Sequence, residues 1–253
     1  MSLVCLLLRL STVKALSGAT WAGEAVRDSE IAPIDAAAAE EKQPFISVYV
    51  DEGRSQPVGR DLFEGAAEMA LVLEFGITAQ MSVRDEGGRE ITEQGMPVTD
   101  AGLELTLDVL HRQAFAALMD PENEWADLWR SIVSKVVAVD ILRGAKADGG
   151  PRFAGRQVKV HCKTLRDPAV GAALTGIWPK ALALIAGDAE LAFLEPVIRG
   201  LVAGDPRAWK ITQAQRGLST DEARALNLTP PLQAEATSPD FDSVTLAGPG
   251  PSA

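Results

Sequence analysis

The chain has 253 residues, 47% of them hydrophobic and 23% charged, and its 24 Lys and Arg against 35 Asp and Glu leave a net charge of −11. That is enough apolar material for one well-cored domain with an appendage, or for two small domains, and too much for a chain disordered throughout. The acidic balance opposes a generic nucleic-acid or anionic-membrane binder, and no run approaches the ~20 apolar residues of a membrane span.

Leu3-Val4-Cys5-Leu6-Leu7-Leu8 has the look of an export core. No basic residue precedes it, however, and Arg9 and Lys14 interrupt it. Leu3, Leu6, Leu7 and Leu10 fall at helical spacing, so the pattern predicts a buried helix over 2–17, ended by Ser17-Gly18. An alanine-rich connector follows at 36–42. Phe45-Ile46-Ser47-Val48-Tyr49-Val50 then reads as a strand stopped by Asp51-Glu52-Gly53, with a loop through Pro57 and Gly59 behind it. From Met69 to Met81 apolar and polar residues alternate, which predicts a long strand with Met69, Leu71, Leu73, Phe75 and Ile77 on its buried face and a wetter face behind.

A turn is expected at 85–88. Thr99-Asp100 opens a helix carrying Leu103, Leu107, Leu110, Ala114 and Leu118, which ends near Met119-Asp120-Pro121. The segment 122–143 reads as helical in part, on the stripe Trp125, Leu128, Trp129, Ile132 and Val133. Its second half, with β-branched Val136, Val137, Val139 and Ile141, fits a strand equally well. After a loop at 148–151 comes another strand, with Arg156, Val158, Val160 and Cys162 on one side and Gln157, Lys159, His161 and Lys163 on the other. Residues 174–216 look helical, with breaks at Gly187-Asp188, near Pro196 and at Gly204-Asp205-Pro206. Ser219 with Glu222 forms a capping-box pattern, and the proline-rich end carries no basic residue after Arg224. The expectation is an α/β fold, a twisted and mostly antiparallel sheet packed by helices, divided into a core over 1–170, a helical extension over 171–228 and an acidic tail over 229–253.

Constellations for chemistry are thin. No nucleophile elbow and no phosphate-binding Gly-rich loop occurs. Cys5 and Cys162 are too few for a disulfide framework, and with His111 and His161 as the histidines they supply no metal-ligand cluster, so neither cofactor nor metal is expected. His161-Cys162 suggests a thiol–imidazole pair, yet neighbours on a strand point to opposite faces. The one local departure in charge is basic: Arg143, Lys146, Arg152, Arg156, Lys159, Lys163 and Arg166 are opposed between 143 and 166 by Asp148 alone. A solvated strand face explains this run, and so does a docking surface for an acidic neighbour, including a second copy of this acidic chain. On the second reading Lys159, His161 and Lys163 face a neighbour's carboxylates, with Arg152 and Arg156 beside them and Phe45, Tyr49 and Phe153 supplying apolar contact.

Two blocks carry a family resemblance. Leu16-Ser17-Gly18-Ala19-Thr20-Trp21-Ala22-Gly23-Glu24-Ala25-Val26-Arg27-Asp28-Ser29, with Ile34-Asp35 and Pro44-Phe45-Ile46-Ser47-Val48-Tyr49-Val50-Asp51, resembles the opening of tail terminator proteins of long-tailed bacteriophages. Gly150-Pro151-Arg152-Phe153-Ala154-Gly155-Arg156-Gln157-Val158 followed by Leu165-Arg166-Asp167-Pro168 looks like a second block, and the C-terminal extension departs from the compact family pattern. The resemblance implies a non-enzymatic virion protein of the tail and neck, made in the host cytoplasm. Such proteins form a homo-oligomeric ring, typically six-fold, on the tail tube, touching the major tail tube protein below and a neck or head-completion protein above. DNA passes through the lumen without specific binding, and no membrane is involved. A head-to-tail adaptor or minor tail protein is the alternative in the same class, and a small thiol hydrolase using Cys162 and His161 the alternative outside it.

Overall fold

Helix α1, Leu3–Leu16, is apolar on most of its circumference and is accordingly buried, with Val4, Leu7, Leu8, Ala15 and Leu16 each 1% exposed or less. Its two buried hydroxyls, on Ser11 and Thr12, donate back to the Leu8 carbonyl, so no polar group is stranded there. The helix begins at a double cap. Ser2 Oγ accepts from the Cys5 amide, and the Asp167 carboxylate, far along the chain, accepts from the Leu3 and Val4 amides and from the Ser2 hydroxyl.

The computed structural model describes residues 2–29, 44–78, 83–84, 90–91, 100–146 and 153–230. The connector at 36–42, the turn at 85–88, the loop at 148–151 and the tail beyond Pro230 lie outside these residues. Strands β1 (Val26–Asp28), β2 (Phe45–Val58) and β3 (Asp61–Thr78) belong to a five-stranded mixed sheet with β6 (Val133–Lys146) and β7 (Phe153–Thr164), in the order β1-β2-β3-β7-β6. Only β1 and β2 run parallel; every other pair is antiparallel. The short β4 (Val83–Arg84) and β5 (Glu90–Ile91) pair separately. An α/β fold is thus present, as the alternating patterns require.

Helices α1, α2 (Asp100–Leu118) and α3 (Glu124–Ile132) lie on one face and join the sheet in one apolar cluster with Val48, Leu71, Leu73, Phe75, Val158 and Val160. Asn123 caps α3 through hydrogen bonds from the Trp125 and Ala126 amides, and α3 passes into β6 without an intervening loop. The ambiguous segment 122–143 is therefore helix and then strand.

Three expectations need correction. Strand β2 does not stop at Asp51 but continues to Val58, through register shifts at Val50/Glu52 and Gln56/Val58. The second shift takes in Pro57, whose missing amide is tolerated at an irregularity. On β3 the second face is not uniformly wetter, because Ala70 and Val72 are as buried as the first face. Pro196 marks no break: it sits in the first turn of α5 (Leu194–Ala203), where its lost amide proton has no helical partner to miss.

The remaining helices are α4 (Trp178–Gly187), α6 (Ala208–Gln215) and α7 (Thr220–Ala225). Trp178, Ala181, Leu182, Ile185 and Ile198 enter the same cluster as the sheet core, so the extension is built onto the core and not beside it. Helix α7 carries the expected capping box, Ser219 with Glu222. Glu222 also accepts from Arg60 at the tip of the β2–β3 hairpin at 2.7 Å, and Gly217 approaches the Arg60 backbone so closely that a Cβ would lie 2.8 Å from its carbonyl oxygen. The Arg60 guanidinium, with the Ser219 amide, draws the Glu222 carboxyl down to about 2 from 4.5. A carboxyl depressed on folding contributes stability above its unfolded value and loses it as pH falls. The protection factors of the amides over 219–226, taken against intrinsic exchange at the same pH, are therefore expected to fall between pH 4.5 and about 2, and Glu222→Gln should show low protection already at neutral pH.

Candidate assembly surface

Period-two geometry divides β7 as the sequence requires. Arg156, Val158, Val160, Cys162 and Thr164 face the helices; Gln157, Lys159, His161 and Lys163 project from the opposite face. The three residues expected to seek a neighbour's carboxylates share a face but find partners at home. Lys159 Nζ reaches Asp51 at 2.5 Å and Glu52 at 3.7 Å, His161 Nε2 lies 2.9 Å from Asp140, and Lys163 Nζ is 3.5 Å from Glu68. The bond to Asp51 holds the Lys159 ammonium above its ordinary pKa. On the helix face Arg156, with 12% of its side chain exposed, bridges Glu104 at 3.1 Å and Asp108 at 2.6 Å, and Arg143 also bonds Glu104. The basic run is thus largely neutralised by acids of β2, β3, β6 and α2.

The aromatic candidates divide in the same way. Phe45 is fully buried, its ring over Gly76 and the Arg27 guanidinium 5.3 Å from its centroid, so it offers no contact surface. The Tyr49 hydroxyl donates to Glu74 at 2.7 Å, and Gln157 donates to both, closing a three-residue network. Burial, with the Glu74 carboxylate next to it, pushes the Tyr49 phenol well above its usual range. Phe153 pairs through its backbone with Thr78 and Lys146. Arg152 lies outside the described residues.

What the sequence reading did not single out is the outer edge of the sheet. Strand β6 has β7 on one side and, among the described residues, no strand on the other. Val136, Val137, Val139, Ile141 and Leu142 are 42, 54, 40, 55 and 56% exposed, on both faces of the strand. A β-branched run ordinarily signals burial, which is why the pattern gave strand but not edge. Behind β6, a cleft of about 380 Å³ opens between Val137, Ala138 and the polar groups Glu52, Arg54, Asp140 and His161.

Chemistry at His161-Cys162 fails on geometry. The two side chains leave opposite faces; Cys162 is 1% exposed, its Sγ lies 3.5 Å from the Val160 carbonyl, and burial pushes the thiol up to about 11. A thiolate nucleophile needs the reverse environment. In the native protein at pH 8, Cys162 is expected to resist a disulfide reagent while half-buried Cys5 reacts slowly, with both reacting after unfolding; rapid native labelling of Cys162 would contradict this placement.

His111 packs edge-on to Phe115, with ring centroids 4.4 Å apart, and burial followed by the Arg156 charge lowers its pKa, a structural role on the sheet-facing side of α2. Among the described residues no group of His, Cys, Asp and Glu is arranged to hold a metal, and no helix is long and apolar enough to cross a membrane. No protein-family model matches the chain, and no curated protein matches it.

Proposed function

We propose that the chain is a virion structural protein of a long-tailed phage that caps the tail tube as a homo-oligomeric ring and joins it to the head-neck connector. The reading starts from the two resemblance blocks, which lie within 16–51 and 150–168. The structural observation that supports it best is the free edge of β6. A 14-residue strand exposing five large aliphatic side chains suits a chain that works by binding other protein surfaces. Its partners on this reading are further copies of itself, the major tail tube protein and a neck or head-completion protein, with DNA passing through an acidic lumen that does not hold phosphate.

The test is reconstitution. Mixed with tail tubes, the purified chain is expected to form rings at one tube end by electron microscopy and to stop tube elongation. Tubes that grow unchecked and bare at both ends would sink the reading. In a particle map, density at the tube end marks a terminator, and density above that plane marks the adaptor alternative. The thiol-hydrolase alternative loses its support, because Cys162 is walled in on the far side of the strand from His161.

A further inference from the structure

The sheet has two edges, and they are unequal. The β1 edge is three residues long and pairs only with 46–48 of β2, a length that cannot template a partner. The β6 edge is 14 residues long. Natural edges of that length are protected by proline, by charges, by bulges or by a covering element. In β6 the register shifts fall in the first half, at Val133/Lys135 and Val136/Ala138, and Lys135, Arg143 and Lys146 lie toward the ends. From Ala138 to Leu142 the ladder is regular, with no proline and one charge, Asp140, which is held by His161.

We infer that β6 pairs antiparallel with β6 of a second copy, joining two five-stranded sheets into one. Of the open edges β6 is the one suited to a strand from another copy: β1 is too short, and the stretch of β2 that β1 leaves uncovered, 49–58, carries Asp51, Glu52, Arg54, Pro57 and two register shifts. An edge that pairs with its own equivalent closes at two copies. Charge fixes the register. Lys135 stands opposite Lys163 of its own sheet, a like-charge pair, and Lys163 is already taken by Glu68. Lys135 has no ion-pair partner among the described residues. Asp140 projects from the same face as Lys135, as their register partners Lys159 and Lys163 show, and its side chain is 64% exposed.

Setting Lys135 opposite the second copy's Asp140 creates two reciprocal ion pairs by symmetry. It also places Val136 against the second copy's Val139 on the helix face, and brings the bulged Val137 against its Ala138 at the two-fold axis. The five exposed aliphatic side chains present on the order of 400 Å² per copy. Two copies that cover all of it bury roughly 800 Å², below the ~1,200 Å² of stable specific interfaces, so a weak and reversible association is expected. The contact goes beyond the tail-capping reading, which takes from β6 only that the chain binds protein surfaces: a self-closing pair is not a ring contact, and ring formation needs another surface.

Sedimentation of the full chain tests it, from low micromolar concentration upward. A monomer–dimer equilibrium is expected. Val137→Lys with Val139→Lys should weaken it by tenfold or more with the folded monomer's melting unchanged, since both positions are exposed. Lys135→Glu alone should weaken the dimer, and Lys135→Glu with Asp140→Lys should restore it. A chain that stays monomeric throughout overturns the inference. So does a dimer indifferent to the valine pair, or a double charge swap that restores nothing. A full chain that is monomeric while a chain ending at Pro230 dimerises overturns it as well, by making the acidic tail the occupant of the edge.

Discussion

Gly76→Ala is expected to destabilise the protein by about 1–3 kcal/mol, the usual cost of forcing one carbon into a filled core. A Cβ at Gly76 would lie 2.2 Å from Phe45 Cζ and 2.3 Å from Cε1, inside any permitted contact. Phe45 stands opposite Gly76 in the β2–β3 ladder, and its ring fills the space that the glycine leaves. It cannot swing outward without losing its burial and the Arg27 guanidinium against its face. Phe45→Leu alone should cost a comparable amount by leaving a void. Because each change relieves the defect of the other, the double variant should lose clearly less than the sum of the two singles in urea denaturation. Strict additivity would mean that the ring and the glycine do not share that space. The pair also explains why Phe45, apolar and inside the family-like segment, serves the core and not an interface.

Local signals were legible in the sequence and distant pairings were not. The alternation along 153–164 put Lys159, His161 and Lys163 on one face, and that holds, because strand geometry fixes it without reference to the rest of the fold. Their partners were hidden: Asp51 is separated from Lys159 by 108 residues, and no pattern within either strand announces the bond. The Ser219–Glu222 capping box was legible because both members lie in one helical turn, whereas the Asp167 cap of α1 spans 163 to 165 residues and was not. The polar half of β2 read as loop for a physical reason. Asp51-Glu52-Gly53-Arg54-Ser55-Gln56-Pro57 has little strand preference of its own and is held extended by the ladder that β3 provides. What α4 packs against was not legible for the same reason, since helical periodicity tells which face of a helix is apolar but not what that face meets.

Leu182→Ala and Ile185→Ala in α4 are each expected to cost about 2–5 kcal/mol, as for truncations in a domain centre and not in a loosely attached appendage. Both side chains are at most 2% exposed and belong to the cluster that also contains α1, α3 and the sheet. The helix is fastened at its margin by Lys180, which bonds Asp127 of α3 at 2.5 Å and holds that carboxyl below its ordinary range. Beyond its end, Asp188 takes Lys14 of α1 at 2.7 Å. These ion pairs are open to solvent and set orientation more than they stabilise, so Lys180→Ala should be mild where Leu182→Ala is severe. Unfolding of the intact chain should then be a single transition by near-ultraviolet dichroism and by calorimetry, and both core variants should move it as a whole. A chain ending at Val170 exposes the apolar face that Trp178, Leu182 and Ile185 cover, and is expected to lose cooperative melting. If it instead melted cooperatively at the temperature of the intact protein, the extension would be an addition to a self-sufficient core, and the buried contacts of α4 would contribute nothing to holding α1 and α3 on the sheet.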